Sequence, residues 1–465
     1  MIKVFSIETK NLKRGDSLVP EFYYYANVIE NENEKKNLKY VILGNYYISD
    51  GEHSAIPRNN LGGVRYLYGR NIREGSIDFD PISDVPYIDI EDYKKTPRTH
   101  IFENDVLVPI VGTIGRSAIY KEKYVGLAGI PRHIAHITIP AGSLITPEYL
   151  TVFFRSKYGK VQLYSLTTGN IQPLLSLSNL KQVKVPMISN ELMEKITKNE
   201  RIANQLIVES QDKLKSAKDI LYKSLGFDIK NVVGDFSITV SSSILFKNDI
   251  WNPNHYNTLY DKINCEIKSR LRSVKLNEIC TTEHGVEIGS DNYNEFLEKD
   301  SEDIPFIRTS DIVNNEVDLY PDFYVPYELA KEITKVPQNN DVIFTKDGKI
   351  GAVAMITKND NCILSSGIEM IRINSNGKNY GITPEYLFLV LSIKEIGYFE
   401  AIKRTVVAST IPHLRPERLK EIEIPIIQSN DIIKITKLVR EAFDLKNRRK
   451  PILKESDKLF QDYFC

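Results

Sequence analysis

Asp105-Val-Leu-Val-Pro-Ile-Val-Gly-Thr-Ile-Gly-Arg-Ser-Ala-Ile-Tyr120 aligns without a gap on Asp341-Val-Ile-Phe-Thr-Lys-Asp-Gly-Lys-Ile-Gly-Ala-Val-Ala-Met-Ile356, and this match decides the architecture. Asp105 falls on Asp341, Gly112 on Gly348 and Gly115 on Gly351. Downstream, Thr146-Pro-Glu-Tyr-Leu150 returns as Thr383-Pro-Glu-Tyr-Leu387, and Leu180-Lys181 with Pro186 returns as Leu419-Lys420 with Pro425. Upstream, Arg65-Tyr-Leu-Tyr-Gly-Arg-Asn-Ile72 and Asp78 match Pro305-Phe-Ile-Arg-Thr-Ser-Asp-Ile312 and Asp318. Even the approaches correspond, with Val19-Pro-Glu-Phe-Tyr23 beside Asn252-Pro-Asn-His-Tyr256. The order is kept at offsets of about 233 to 240 residues, which chance would not maintain. A period this long is a duplicated domain rather than a solenoid.

Within each copy the pattern is mixed. Residues 105–110, 117–121 and 133–139 read as short strands, with Gly112 and Gly115 permitting the turn between the first two. Pro147 and Pro384 each read as the first residue of a helix. After each copy comes a long amphipathic stretch. Residues 188–225 place Leu192, Ile196, Ala203, Leu206, Leu214, Ala217, Leu221 and Leu225 on a narrow seam, opened by Ser189 or Asn190 and closed by Gly226. The duplicate runs from Ser429 to about Phe464, and Pro451 is expected to kink it or to start a second helix. Helices of this length span ~50 Å at about 1.5 Å per residue, too long to lie on a domain of this size, so they should pack on each other. The fold class predicted is α+β: a first globule over residues 1–187, a helix over 188–226, a second globule over 227–426 and a helix over 427–465. The two helices are expected to form an antiparallel coiled coil that acts as a strut between two pseudo-repeated globules.

Composition bounds the function. Of 465 residues, 42% are hydrophobic and 26% charged, with 61 basic residues matched by 61 acidic ones. Disordered, fibrous and membrane-spanning classes are excluded, and so is a protein that merely coats a polyanion. The amino terminus lacks a secretory pattern, which points to the cytoplasm. Cys265, Cys280, Cys362 and Cys465 are too widely spaced for a zinc ribbon and read as free thiols.

No nucleophile, metal or phosphate-cradle signature survives inspection. His133 and His136 lie three residues apart on a strand and face opposite sides, so they do not form a metal site. The Gly-x-x-Gly turns lack the Lys-Ser/Thr of a phosphate loop. Asp341 followed by Asp347-Gly-Lys349 echoes the acid, acid-x-Lys set of metal-dependent nucleases. The first copy answers that reading with Val111 and Thr113 in place of Asp347 and Lys349. Loss of magnesium-dependent cleavage on replacing Asp347 would be needed to revive it. Methyl transfer is excluded in this chain by the lack of a glycine-rich donor loop and of an Asn/Asp-Pro-Pro-Tyr motif.

Binding signals are better. From Asp105 to Pro186 nine basic residues face three acidic ones, a half-domain that could lie along phosphates. Thr168-Gly-Asn-Ile-Gln172 offers amides of the kind that read adenine edges. Charge and turn placement select Arg65, Arg70, Thr113, Arg116, Arg132, His133, Asn170 and Gln172 in the first copy. In the second they select Arg308, Lys346, Lys349, Arg404, Thr410 and His413. The second copy is much less basic over its matching stretch.

The repeated Asp-Val-[Leu/Ile]-x-x-x-x-Gly-x-Ile-Gly, the Thr-Pro-Glu-Tyr-Leu before a helix, the closing Leu-x-x-x-x-[Val/Ile]-Pro and the long helix after each copy together resemble the specificity subunits of type I restriction-modification systems. The resemblance covers essentially the whole chain. It implies two target-recognition domains that enter the major groove of double-stranded DNA, each reading half of a split, asymmetric target, with the helices fixing the gap. It also implies a non-catalytic subunit that docks two methyltransferase subunits carrying S-adenosylmethionine and can recruit a restriction subunit using ATP and magnesium. Two other readings stay open: a specificity subunit of another phage-defence methyltransferase with no restriction partner, and a two-headed protein–protein scaffold.

Overall fold

The computed structural model describes residues 38–59, 62–80, 85–169, 172–235, 237–248, 251–288, 303–407 and 411–464. Its contacts divide the chain into two units. One comprises Met1–Phe79, Val85–Gln205 and Pro451–Cys465; the other comprises Asp80–Asp84 and Leu206–Lys450.

The first unit is built on a four-stranded antiparallel sheet. Its strands are β1 (Tyr47–Asp50), β2 (Val106–Pro109), β3 (Ala118–Ile119) and β4 (Ile134–Thr138), in the order β1-β4-β2-β3. β2 is buried along its whole length, which explains why it reads as a continuous apolar run rather than an alternating one. Asp105, at its start, is fully buried because its carboxylate is fully used. Phe102 donates its amide at 2.9 Å, His136 its Nδ1 at 2.9 Å and Thr138 its Oγ1 at 2.6 Å. After β3 and β4 comes α1 (Pro147–Arg155), with the Thr146 hydroxyl accepting from the Tyr149 amide and Pro147 at the first helical position. A smaller three-stranded sheet joins Val64–Tyr66 antiparallel to Tyr87–Ile88 and parallel to Ala128–Gly129.

α2 (Asn190–Ser224) begins where the Leu192 amide donates to Ser189 Oγ, and Gly226 follows it at φ +76°. Asn190–Gln205 falls in the first unit and the remainder in the second.

The second unit repeats the construction. Its strands are β5 (Cys280–His284), β6 (Val342–Thr345), β7 (Val353–Met355) and β8 (Ile368–Ile373), in the order β5-β8-β6-β7. Asp341 takes the place of Asp105, accepting from the Gln338 amide at 2.8 Å and from Arg372 through Nε at 2.7 Å and Nη2 at 2.8 Å. That bidentate pair uses up Asp341, so it does not join Asp347 as the nuclease reading required. α3 (Pro384–Ser392) has Thr383 as its cap, and α4 (Ser429–Phe464) closes the chain.

The structural meaning of Thr-Pro-Glu-Tyr-Leu is visible twice. Thr146 and Thr197 share a hydrogen bond of 2.8 Å, Arg201 Nε donates to Glu148 at 3.0 Å, and Tyr149 OH donates to the Pro186 carbonyl at 2.7 Å. In the second unit Thr383 bonds Thr436 at 2.7 Å, Arg440 donates to Glu385 at 2.8 Å, and Tyr386 OH donates to the Pro425 carbonyl at 2.6 Å. The motif therefore clamps the start of the long helix that follows each copy.

No second helix starts at Pro451: α4 runs unbroken from Ser429 to Phe464. Proline removes the amide that would bond the carbonyl four residues earlier, that of Asn447. The Asn359 side chain supplies the missing donor at 3.1 Å. Asn447 belongs to a run of buried polar residues, Lys446, Asn447, Arg449 and Lys450. Lys446 Nζ donates to the Asn314 carbonyl at 2.7 Å, Arg449 pairs with Glu316 at 3.1 Å and Lys450 pairs with Asp360.

Burial drives the Lys446 ammonium down to about 8. An unfolded lysine stays protonated to a higher pH, near 10.4. Between those values the unfolded chain binds the extra proton, so this group makes stability rise with pH across that window. Lys446→Met removes the titration. The wild-type stability, measured by denaturant unfolding relative to this variant, should climb from pH 7.5 to pH 9.5; a flat difference would refute the assignment.

Cys265, Cys280 and Cys362 are free, and burial pushes the thiols of Cys280 and Cys362 well up. Cys465 lies outside the described residues. No helix of the described residues is long and apolar enough to cross a membrane.

Candidate nucleic-acid interface

At one end of each four-stranded sheet a turn, a loop and a strand start converge. In the first unit the β2–β3 turn carries Gly112 at φ +79° and Gly115 at φ +93°, values that a side chain would strain. The turn is held to residues 173–175 by three contacts. Gly112 N donates to Pro173 O at 3.0 Å, Leu175 N donates to Ile110 O at 2.9 Å, and Val111 and Leu174 form an antiparallel bridge. Ile110 N in turn donates to His133 O at 2.9 Å, which brings the start of β4 alongside.

The second unit repeats this bonding. Gly348 N donates to Pro412 O at 3.1 Å, Leu414 N to Lys346 O at 2.8 Å and Lys346 N to Gly367 O at 2.8 Å, while Asp347 and His413 form the bridge. Gly348 and Gly351 hold φ +63° and +87°.

Of the residues selected by sequence in the first unit, this face gathers Thr113, Arg132, His133 and Gln172, with Arg132, His133 and Gln172 exposed. Gly69 lies against Thr113 Oγ1, so the neighbouring Arg70 belongs to the same face. Arg70 stacks on the Tyr68 ring at 4.8 Å, and Arg58, which sequence reasoning missed, covers the same ring at 5.3 Å. The tyrosine-rich Arg65-Tyr-Leu-Tyr-Gly-Arg70 stretch was the available signal for that pairing. Arg116, at the end of the turn, is half-buried. The imidazole of His133 is held below its usual pKa by desolvation and by the neighbouring charges of Arg132 and His53. Arg65 is employed elsewhere, donating to the Val125 carbonyl at 2.6 Å and stacking over Phe79 and Tyr87. Asn170 lies outside the described residues.

In the second unit, Lys346, Lys349 and His413 meet at the turn, but their side chains are engaged. Lys346 is buried, 3.9 Å from Asp347, and Lys349 Nζ donates to the Ile312 carbonyl at 2.8 Å. His413 donates through Nδ1 to Asp347 Oδ1. Beside them burial raises the Glu369 carboxyl, an effect that the Lys346 charge opposes, and Glu369 Oε2 has no hydrogen-bond partner. Arg308 is tied to Asp322 at 2.9 Å and stacked over Phe323 at 4.0 Å; the next residue, Thr309, approaches Gly348 and Gly367. Arg404 is held to its own helix by Glu400 and to the Glu421 carbonyl. Thr410 lies outside the described residues. No group of three or more His, Cys, Asp or Glu side chains among the described residues is arranged to hold a metal ion.

The second unit thus presents an interlocked polar surface and the first a more basic one, on the same backbone frame. The chain is thus a duplicated α+β domain with a turn-built face and a long helix after each copy. Residues 268–453 match the family model described as the type I restriction modification DNA specificity domain. Over those residues the chain is similar to type I restriction-modification specificity subunits.

It is 29% identical over 137 residues to the type I restriction enzyme EcoBI specificity subunit of Escherichia coli, covering 29% of this chain and 27% of that protein. It is 25% identical over 324 residues to the type I restriction enzyme MjaIX specificity subunit of Methanocaldococcus jannaschii, covering 68% of this chain and 66% of that protein. The matches thus span about a quarter of the first relative and about two thirds of the second. A crystal structure of a type I restriction-modification S subunit from M. genitalium aligns over 92% of this chain and 95% of its own, at 13% identity and a TM-score of 0.36.

Proposed function

We propose that this chain is the DNA-recognition subunit of a type I restriction-modification complex, each unit applying its turn face to one half of a bipartite, asymmetric target. The observation that carries the reading is the pair of turn faces: one bonding scheme of the backbone, made twice, with different side chains mounted on it. A reader of two unlike half-sites needs a constant frame and variable contacts. The exposed basic side chains between Asp105 and Pro186, among them Arg132, Lys157, Lys181 and Lys184, supply sequence-independent phosphate attraction to the first unit, and overall neutrality limits that attraction elsewhere.

In this reading the chain performs no chemistry. It docks two methyltransferase subunits, which bring S-adenosylmethionine, and it recruits a restriction subunit that brings ATP and magnesium; the complex works in the cytoplasm. The test is methylome sequencing of cells carrying this chain with a partner methyltransferase. A new bipartite methylated motif is expected, and the absence of one would refute the reading.

A further inference from the structure

The Val111–Leu174 bridge of the first unit and the Asp347–His413 bridge of the second occupy one position in the repeated frame. The flanking bonds establish the equivalence, since Gly112 to Pro173 and Leu175 to Ile110 in one unit answer Gly348 to Pro412 and Leu414 to Lys346 in the other. The chemistry at the position is opposite. In the first unit two aliphatic side chains face each other, Val111 partly buried and Leu174 exposed. In the second a carboxylate faces an imidazole, with 32% and 43% of the side chains exposed.

The surroundings have changed in step. At the start of the fourth strand the first unit has His133, and the second has Gly367. A Cβ at Gly367 would approach Thr309 Cγ2 to 2.9 Å and touch Asp347 at 3.4 Å, so the glycine makes room for Thr309 beside the acid.

We infer that this bridge is a specificity-determining position, reading a base edge in each half-site; the inference rests on the DNA-recognition reading above. An Asp347 carboxylate can only accept hydrogen bonds. With Nδ1–H turned to Asp347 Oδ1, the His413 tautomer that faces the carboxylate carries its acceptor at Nε2. A pair of acceptors selects a base that offers an exocyclic amine in the major groove, cytosine through N4 or adenine through N6. Val111 and Leu174 offer no polar group and suit the thymine methyl instead.

The test is the double substitution Asp347→Val with His413→Leu, which installs the first unit's pair in the second. The motif of the unaltered protein is determined first, by methylome sequencing with its methyltransferase. The variant should then change one letter of one half-site from C or A to T, with the other half-site unaltered. Asp347→Asn, which adds a donor while keeping the size, should relax the same letter. An intact motif with every letter unchanged would overturn the inference while leaving the recognition reading in place. No motif from the unaltered protein would defeat both. The other half-site serves as the folding control: a variant that loses its letter while that half-site and the thermal midpoint persist has lost a reader, not its fold.

Discussion

Arg155→Ala should cost the first unit about 3–5 kcal/mol, the loss expected when one partner of a buried ion pair is removed. Arg155 closes α1 and is buried, with Nη2 donating to Glu200 at 2.7 Å and Nε to Asp457 at 2.6 Å. Glu200 lies on α2 and Asp457 on the last turns of α4, so one guanidinium fastens three helices of the unit. Its planar fork is what permits two carboxylates to be met from different directions. Truncation leaves Glu200, itself only 4% exposed, as a buried charge without its cation. Arg155→Lys keeps the charge but not the fork and should lose less. Because two units need not unfold together, hydrogen exchange resolved along the sequence is the suitable measure, and loss of protection should fall on α1 and the first half of α2. A loss below about 1 kcal/mol would show that the pairs behave as exposed ones do.

The parts of this molecule that sequence disclosed are those whose chemistry is local. Gly112 and Gly348 are legible because a tight turn at positive φ favours glycine, and Thr146-Pro147 and Thr383-Pro384 because a cap and a first-turn proline mark a helix wherever it lies. The bonding partners were not legible. Asp105 and Asp341 mark the repeat equally well, yet one is satisfied by His136 and Thr138 and the other by Arg372, side chains about 30 residues away. A helical pattern does not say that Asn314, Glu316 and Asp360 will cover Lys446, Arg449 and Lys450. The selection by charge favoured Arg65, Arg308 and Arg404, which the fold occupies in its own bonds. It did not select Asp347, whose carboxylate meets a partner 66 residues away.

Phe460→Ala should destabilise the first unit by about 3–5 kcal/mol, the range for emptying a fully buried aromatic site. Phe460 is 0% exposed, with ring centroids 5.7 Å from Tyr149, 6.2 Å from Phe153 and 5.0 Å from Phe464. It therefore completes a core made by β2, β4 and α1, although it comes from the helix that follows the other copy. The arrangement is reciprocal. Leu214, Ala217, Leu221 and Leu225 of the segment after the first copy join Ile432, Ile435, Val439 and Phe443 in the core of the second unit. An amphipathic seam cannot specify such an exchange, because the same apolar spacing would serve either globule. The exchange makes the prediction specific in place as well as size. Phe460→Ala should lower hydrogen-exchange protection in α1 and β4 and leave β6 and α3 as they were. Leu221→Ala, costing about 2–5 kcal/mol, should do the reverse. If either substitution loosened the unit nearer to it in sequence instead, the exchange of helices between cores would be wrong.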